Sequence, residues 1–132
     1  MKHLAIFKGR GAEKILSGQK SIESRFAKGR IAPYKVVSRG DLVYIKASGG
    51  DIIGQFRVKK VIFFDGLELL DFRDIRKQYG IGLNLDQGYW KGKESCKYGT
   101  LIFIGDSSRF ITSPVKIPKK DLRGWVVLDS PT

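Results

Sequence analysis

Three ionisable side chains stand within six residues of one another in the segment Ser17-Gly18-Gln19-Lys20-Ser21-Ile22-Glu23-Ser24-Arg25. If a strand begins at Ser21, Glu23 and Arg25 point to the same face, about 6.6 Å apart along it. Lys20, at the turn that Gly18 allows, can swing to meet them. Such a group suits the recognition of an anion or a polar base edge. Arg25 can grip phosphate or a base in bidentate fashion, and Glu23 can accept hydrogen bonds from an exocyclic amine or hold Arg25 in place. Burial near Arg25 would lower the Lys20 pKa, whereas the Glu23 carboxylate would raise it. A lowered lysine could serve as a general base, and one paired with Glu23 as a cationic clamp. The bland alternative is a ladder of ion pairs on the exposed face of a strand.

Other chemistry is thinly represented. His3 and Cys96 are the only histidine and cysteine, so a serine triad, a thiolate-rich zinc site and an internal disulfide are all excluded. His3 is expected at the surface or at a sheet edge, and Cys96 as a small buried apolar group. Asp71 and Asp74 share a helix face but are offset by Arg73, Arg76 and Lys77, so neither a metal nor another cofactor is expected.

Charge points to a partner. Lys and Arg number 25 against 13 Asp and Glu, a net charge of +12. The surplus is concentrated in the first 40 residues, with ten basic side chains and two acidic ones. An excess this localised attracts phosphate-bearing ligands over about one Debye length, roughly 8 Å at physiological salt. Arg10, Lys14, Lys28, Arg30, Lys35 and Arg39 could contact a strand's phosphates, and Gly9-Arg10-Gly11 could offer backbone donors. Tyr34, Tyr89 and Trp90 could stack on unpaired bases. Each aromatic could equally be a packing anchor, and Trp125 reads as core.

The elements that must position these residues follow from periodicity. A strand is expected over Lys2–Phe7, a short helix over Ala12–Leu16, and a second strand over Ser21–Phe26. Gly40-Asp41 opens a strand over Leu42–Ala47, and a hairpin turn at Gly49-Gly50-Asp51 leads to a long one over Ile52–Phe64. Gly54 marks a bulge or a close backbone approach. Leu69, Phe72, Ile75 and Tyr79 lie on one face of a helix ending at Gly80. Asn84 to Tyr98 suggests a short helical turn bearing Tyr89 and Trp90. Strands are expected over Gly99–Ile104, Phe110–Lys116 and Gly124–Leu128, and the prolines at 33, 114, 118 and 131 read as punctuation. The fold class is therefore α+β, mainly β: a small closed or nearly closed barrel of five to seven strands with two or three short helices. With no repeat or linker, residues 1–132 form one domain. Neither a membrane span nor a secretory signal is legible, so a cytoplasmic protein is expected, as a monomer.

Gly18, Lys20, Glu23 and Arg25 resemble the Gly-x-Lys-x-x-Glu-x-Arg signature of the ASCH domain, a member of the PUA-like superfamily, and stand where that family has it, after the first strand and short helix. The resemblance implies a PUA-like barrel whose cleft is floored by the signature residues and which binds RNA or a nucleotide in RNA metabolism or translation-linked regulation. Ligand contacts then fall to Lys20, Glu23 and Arg25, with Arg10, Lys28, Arg30, Tyr89 and Trp90 around them. A few relatives hydrolyse N4-acetylcytidine or act as ribonucleases, which implies an alternative in which Lys20 is catalytic. This chain departs from the hydrolase pattern: Glu23 replaces a threonine, and Tyr79 stands where a second-helix glutamate would be. A third alternative, a partner-docking module, would show an exposed apolar patch.

Overall fold

Strands that are apolar on both faces become the centre of the sheet. The computed structural model describes residues 1–112 and 123–128, and in it β1 (Lys2–Phe7) buries every residue but its first. Its parallel neighbour β3 (Leu42–Ala47) buries Leu42, Val43 and Ile45. The remaining elements are α1 (Gly11–Leu16), β2 (Ile22–Ala27), β4 (Ile52–Asp65), α2 (Leu69–Leu83), α3 (Gln87–Lys91), β5 (Tyr98–Arg109) and β6 (Trp125–Val127). The six strands form one sheet in the order β2-β5-β4-β3-β1-β6, antiparallel except for β1 and β3. Among the described residues no helix is long and apolar enough to cross a membrane.

The sheet curls into a half-barrel. Register shifts between Ile45 and Lys46 on β3, and near Gln55 and Val58 on β4, mark bulges that increase the local twist. The expected close approach at Gly54 is real: a Cβ there would sit 2.6 Å from the Ser108 carbonyl oxygen and 2.8 Å from Leu16 Cδ2. Among the described residues no strand ladder joins the ends of the order, β2 and β6, so the half-barrel has one open seam. The expected strand over Phe110–Lys116 is not seen at Phe110, Ile111 and Thr112, since β5 ends at Arg109. Its residues from 113 onward, and Pro114, Pro118 and Pro131, lie outside the described residues.

Alternation distributes the apolar residues to both faces of the sheet. Inside the curl, Phe7, Val43, Ile45, Phe56, Ile102 and Trp125 pack with Ala12 and Ile15 of α1. On the other face, Ile22, Phe26 and Leu101 pack against Phe72, Ile75 and Leu83 of α2, Trp90 of α3 and Cys96. Each fully buried apolar side chain of this kind contributes about 1.5–3 kcal/mol.

Two expectations are corrected here. Helix α2 does not stop at Gly80 but runs to Leu83, where Asn84 ends it in the left-handed conformation at φ 48° and donates its N–H to the Gly80 carbonyl. The extra turn is held by tertiary contact: Leu83 is fully buried, and Gly82 lets the helix approach so closely that a Cβ would meet Ile22 Cδ1 at 2.7 Å. Leu83, not Leu69, is the outer anchor of the apolar face, because Leu69 in the first turn is 64% exposed. His3 is not at the surface but fully buried. Its Nε2 lies 2.8 Å from Asp41 Oδ2, and its Nδ1 accepts the Trp125 indole N–H at 3.1 Å. Burial alone would raise the Asp41 carboxyl, but hydrogen bonds from His3, the Ser38 N–H and the N-terminus outweigh that effect and hold it below its ordinary value.

The two helix glycines should respond oppositely to the same change. A Cβ on Gly80 would meet nothing within 4 Å, so Gly80→Ala should stabilise by up to about 1 kcal/mol through helix propensity. Gly82→Ala should destabilise by about 1–3 kcal/mol through overpacking against Ile22. Urea unfolding of the two variants beside the parent checks both signs.

Candidate functional site

Strand β2 forms one lip of the seam and divides its side chains between two environments. Ile22, Ser24 and Phe26 face the helices, and the Ser24 hydroxyl lies 3.0 Å from the Tyr89 hydroxyl of α3. Glu23 and Arg25 face into the curl, as the two-residue spacing requires. Arg25 donates from Nε to Glu23 Oε2 at 2.8 Å, from Nη1 to the Gly124 carbonyl at 3.1 Å and from Nη2 to the Ile6 carbonyl at 3.1 Å. Its guanidinium lies 4.9 Å from the centre of the Phe7 ring and 5.4 Å from that of Trp125. Arg25 thus joins β2 to β1 and to the residue before β6 where no ladder does.

Lys20 completes the group. The turn at Gly18, φ 81°, brings it back under β2, where only 3% of its surface is exposed. Its Nζ donates to the Leu83 carbonyl and lies 3.6 Å from Glu23 Oε1. Burial pushes the Lys20 ammonium below the ordinary lysine value, Glu23 pulls it back in part, and Lys14 and Arg25 add a further lowering. Two cations therefore share one buried carboxylate. Lys14 donates to the neighbouring Asn84 carbonyl at 3.1 Å, so both lysines cap the C-terminal end of α2, which has no basic residue in its own last turn.

These residues floor a cleft of about 990 Å³ that occupies the seam. One wall comes from Lys8, Gly9, Arg10 and Lys14, and another from Asn84, Tyr89 and Lys93. Tyr89 is half-buried, and desolvation pushes its phenol up to about 12, so it remains a neutral donor and acceptor. Glu23 and Asp86 are the carboxylates among the described lining residues.

The structure brings together Lys20, Glu23, Arg25, Arg10 and Tyr89. It does not bring Trp90, Lys28 or Arg30 into the lining. Trp90 is turned into the second core cluster, 6% exposed, with Phe26 at 6.1 Å and Arg76 at 5.4 Å. Neighbouring residues on a one-turn helix point roughly 100° apart, so Tyr89 and Trp90 cannot both face the cleft. Lys28 is exposed beyond the end of β2. Arg30 lies beside the mouth, stacked on Tyr98 at 5.2 Å and 3.8 Å from Asp65. Tyr34 lines the mouth but meets Tyr98 and Phe63 edge-on at 5.2 and 5.7 Å. Arg39 belongs to a separate, smaller hollow with Arg57 and Lys59. Tyr79 packs edge-on against Phe103 at 5.8 Å, away from the cleft.

Sequence reasoning missed Ser24, Asn84 and the cleft-facing side of Trp125. The preference of Asn for a left-handed helix end was a usable signal at position 84. Nothing local marked Ser24 or gave Trp125 its second role.

Replacing Arg25 with Ala should cost about 3 kcal/mol, because it breaks a buried ion pair and leaves Glu23 with Lys20 alone. Arg25→Lys should recover little of this loss, since an ammonium cannot span three divergent acceptors. Thermal and urea unfolding of both variants measure the loss.

No protein-family model matches the sequence, and a search of curated proteins finds none significantly similar in sequence. Among solved structures, an ASCH protein from Zymomonas mobilis superposes with a TM-score of 0.65 at 18% identity, covering 82% of this chain and 69% of that one. The hypothetical protein PH0355 superposes with a TM-score of 0.55, also at 18% identity, covering 80% of this chain and 98% of that one.

Proposed function

We propose that this chain, which has an ASCH-like fold, binds single-stranded RNA or a nucleotide in the seam cleft. The fold supports a PUA-like RNA-binding module in general terms. The observation that carries the finer reading is the buried charge imbalance at the cleft floor, where Lys20 and Arg25 share the single carboxylate of Glu23. A buried cation without a full counter-charge favours an anionic or electron-rich guest. Arg25 gives one hydrogen from each of its three nitrogens to a protein acceptor, which fixes its place, and keeps one on each Nη. Lys20 has hydrogens beyond the one it gives Leu83, and Tyr89 supplies a neutral hydroxyl beside it. Lys20 and Tyr89 therefore face the polar edge of a base, with Glu23 as an acceptor for an exocyclic amine. Lys8, Arg10, Lys14 and Lys93 along the walls meet phosphates. The cleft volume lies at the upper end of the roughly 300–1,000 Å³ typical of small-molecule sites, which suits a short stretch of strand as well as a single nucleotide.

A hydrolase reading is favoured by one observation, the lowered Lys20, which brings the amine nearer to acting as a base. Against it, α2 supplies no carboxylate to the lining, and the position expected for one holds Tyr79, outside the cleft. Release of cytidine from N4-acetylcytidine, or of fragments from RNA, abolished by Lys20→Met would establish hydrolysis over recognition.

Binding is tested by fluorescence anisotropy with a short labelled oligoribonucleotide. Log affinity should fall linearly with log salt, with a slope of about −0.7 for each phosphate neutralised. Lys20→Met should weaken binding about tenfold to a hundredfold, the loss of one charge-assisted hydrogen bond of roughly 1.5–3 kcal/mol. The pH profile carries a sign. Because the Lys20 ammonium is lowered, affinity should drop on the alkaline side at a pH below about 10.4, where an ordinary lysine is still charged, and Lys20→Met should abolish that step. Absence of binding at low salt would remove the proposal.

A further inference from the structure

The buried Asp41–His3 pair lies outside the cleft, has no part in the reading above, and yet leads directly to its floor. Asp41, just before β3, accepts from His3 Nε2 at 2.8 Å and from the Ser38 N–H at 2.9 Å. An indole N–H can only donate, so the 3.1 Å contact from Trp125 requires His3 Nδ1 to carry the lone pair and Nε2 the proton. That tautomer is the one that donates to Asp41. The three side chains are 7%, 0% and 2% exposed respectively, so water does not compete for these bonds.

Trp125 is the first residue of a three-residue strand, a short element with little pairing of its own. Its ring lies beneath the Arg25 guanidinium, and the preceding Gly124 supplies one of the carbonyls that Arg25 grips. A Cβ on Gly124 would come 3.2 Å from Arg25 Nη1, so this seat has no slack. A chain of contacts therefore runs from Asp41 through His3 to Trp125 by hydrogen bonds, from the Trp125 ring to the Arg25 guanidinium by a cation–π contact, and on to Glu23 and Lys20 by ion pairs.

We propose that His3 and Asp41 are positioning residues for the cleft: they fix the Trp125 ring, and through it the orientation of Arg25 and Glu23. The consequence for binding rests on the RNA reading above, whereas the seating of Arg25 can be observed without any ligand. His3→Leu deletes the acceptor for the indole and the donor to Asp41. Its Arg25 Nε–H resonance should shift and exchange faster with water, and affinity for the labelled oligoribonucleotide should fall about tenfold to a hundredfold, as for misplacement of a contact group. His3→Gln keeps both an acceptor and a donor and should restore both readouts in large part. Nitrogen-15 chemical shifts should show the His3 ring protonated at Nε2 in the parent.

If His3→Leu folds and leaves the Arg25 resonance where it was, the proposal is overturned. It is equally overturned if His3→Gln behaves like His3→Leu, since His3 would then act only by filling space. Should His3→Leu fail to fold, Trp125→Phe takes its place, keeping an aromatic ring over Arg25 while losing the N–H together with the five-membered ring, and the exchange rate of the Arg25 Nε–H is then read instead of its shift, which the change of ring moves by itself. Unchanged exchange in that variant overturns the proposal, and faster exchange supports it. If the parent binds no RNA, the functional reading falls, and the Arg25 signal alone decides the positioning claim.

Discussion

The Arg25 guanidinium bridges the two ends of the sheet, from β2 to the carbonyls of Ile6 and Gly124. A run of strand pairing between β2 and β6 would have zipped the barrel shut and left no room between them. Two directed hydrogen bonds from Arg25, to the carbonyls of Gly124 and Ile6, set the separation across the seam at one point, and the space on either side of that point is the cleft. A planar, permanently charged fork with donors diverging from one carbon suits a joint of this kind. The flanking rings of Phe7 and Trp125 limit its tilt.

The electrostatics of the cleft follow from that joint. Placing Arg25 in a largely buried position calls for Glu23 as its counter-ion, and Glu23 in turn makes the burial of Lys20 tolerable. The end of α2 contributes the remainder. Its last carbonyls carry partial negative charge and have no basic residue of their own helix to meet, so they are satisfied by Lys14 and Lys20 from the opposite side of the turn at Gly18. The same ammonium group thus closes a helix, neutralises a carboxylate and lines a cavity. Position 20 therefore contributes to stability as well as to the cleft.

What could be read from the sequence was what depends on near neighbours. β1 and β3 have the boundaries expected of them, and the short helix and β2 are displaced by one residue at most at each end. Glu23 and Arg25 share a face because strand geometry leaves no choice. The misreadings have distant causes. Gly80 looks like a helix stop, and only the fit of Gly82 against Ile22, sixty positions away along the chain, explains why the helix continues. His3 has no local reason to be buried, because its partners are 38 and 122 residues away. Tyr89 and Trp90 were equivalent as aromatic residues of one turn, and the phase of α3 separates them into a cavity wall and a core anchor. The open seam is a property of strand order, which no local pattern encodes.

The carbonyl that anchors Arg25 to the far lip of the cleft is 99 residues downstream of it. A contact of such span belongs to the non-local pairings that make a fold slow to form. During synthesis, β2 therefore leaves the ribosome with a guanidinium and a carboxylate pointing at a wall that has not yet been made. A chain interrupted before its sixth strand would carry every residue of the motif and lack Gly124 and Trp125, the far lip against which that motif is seated.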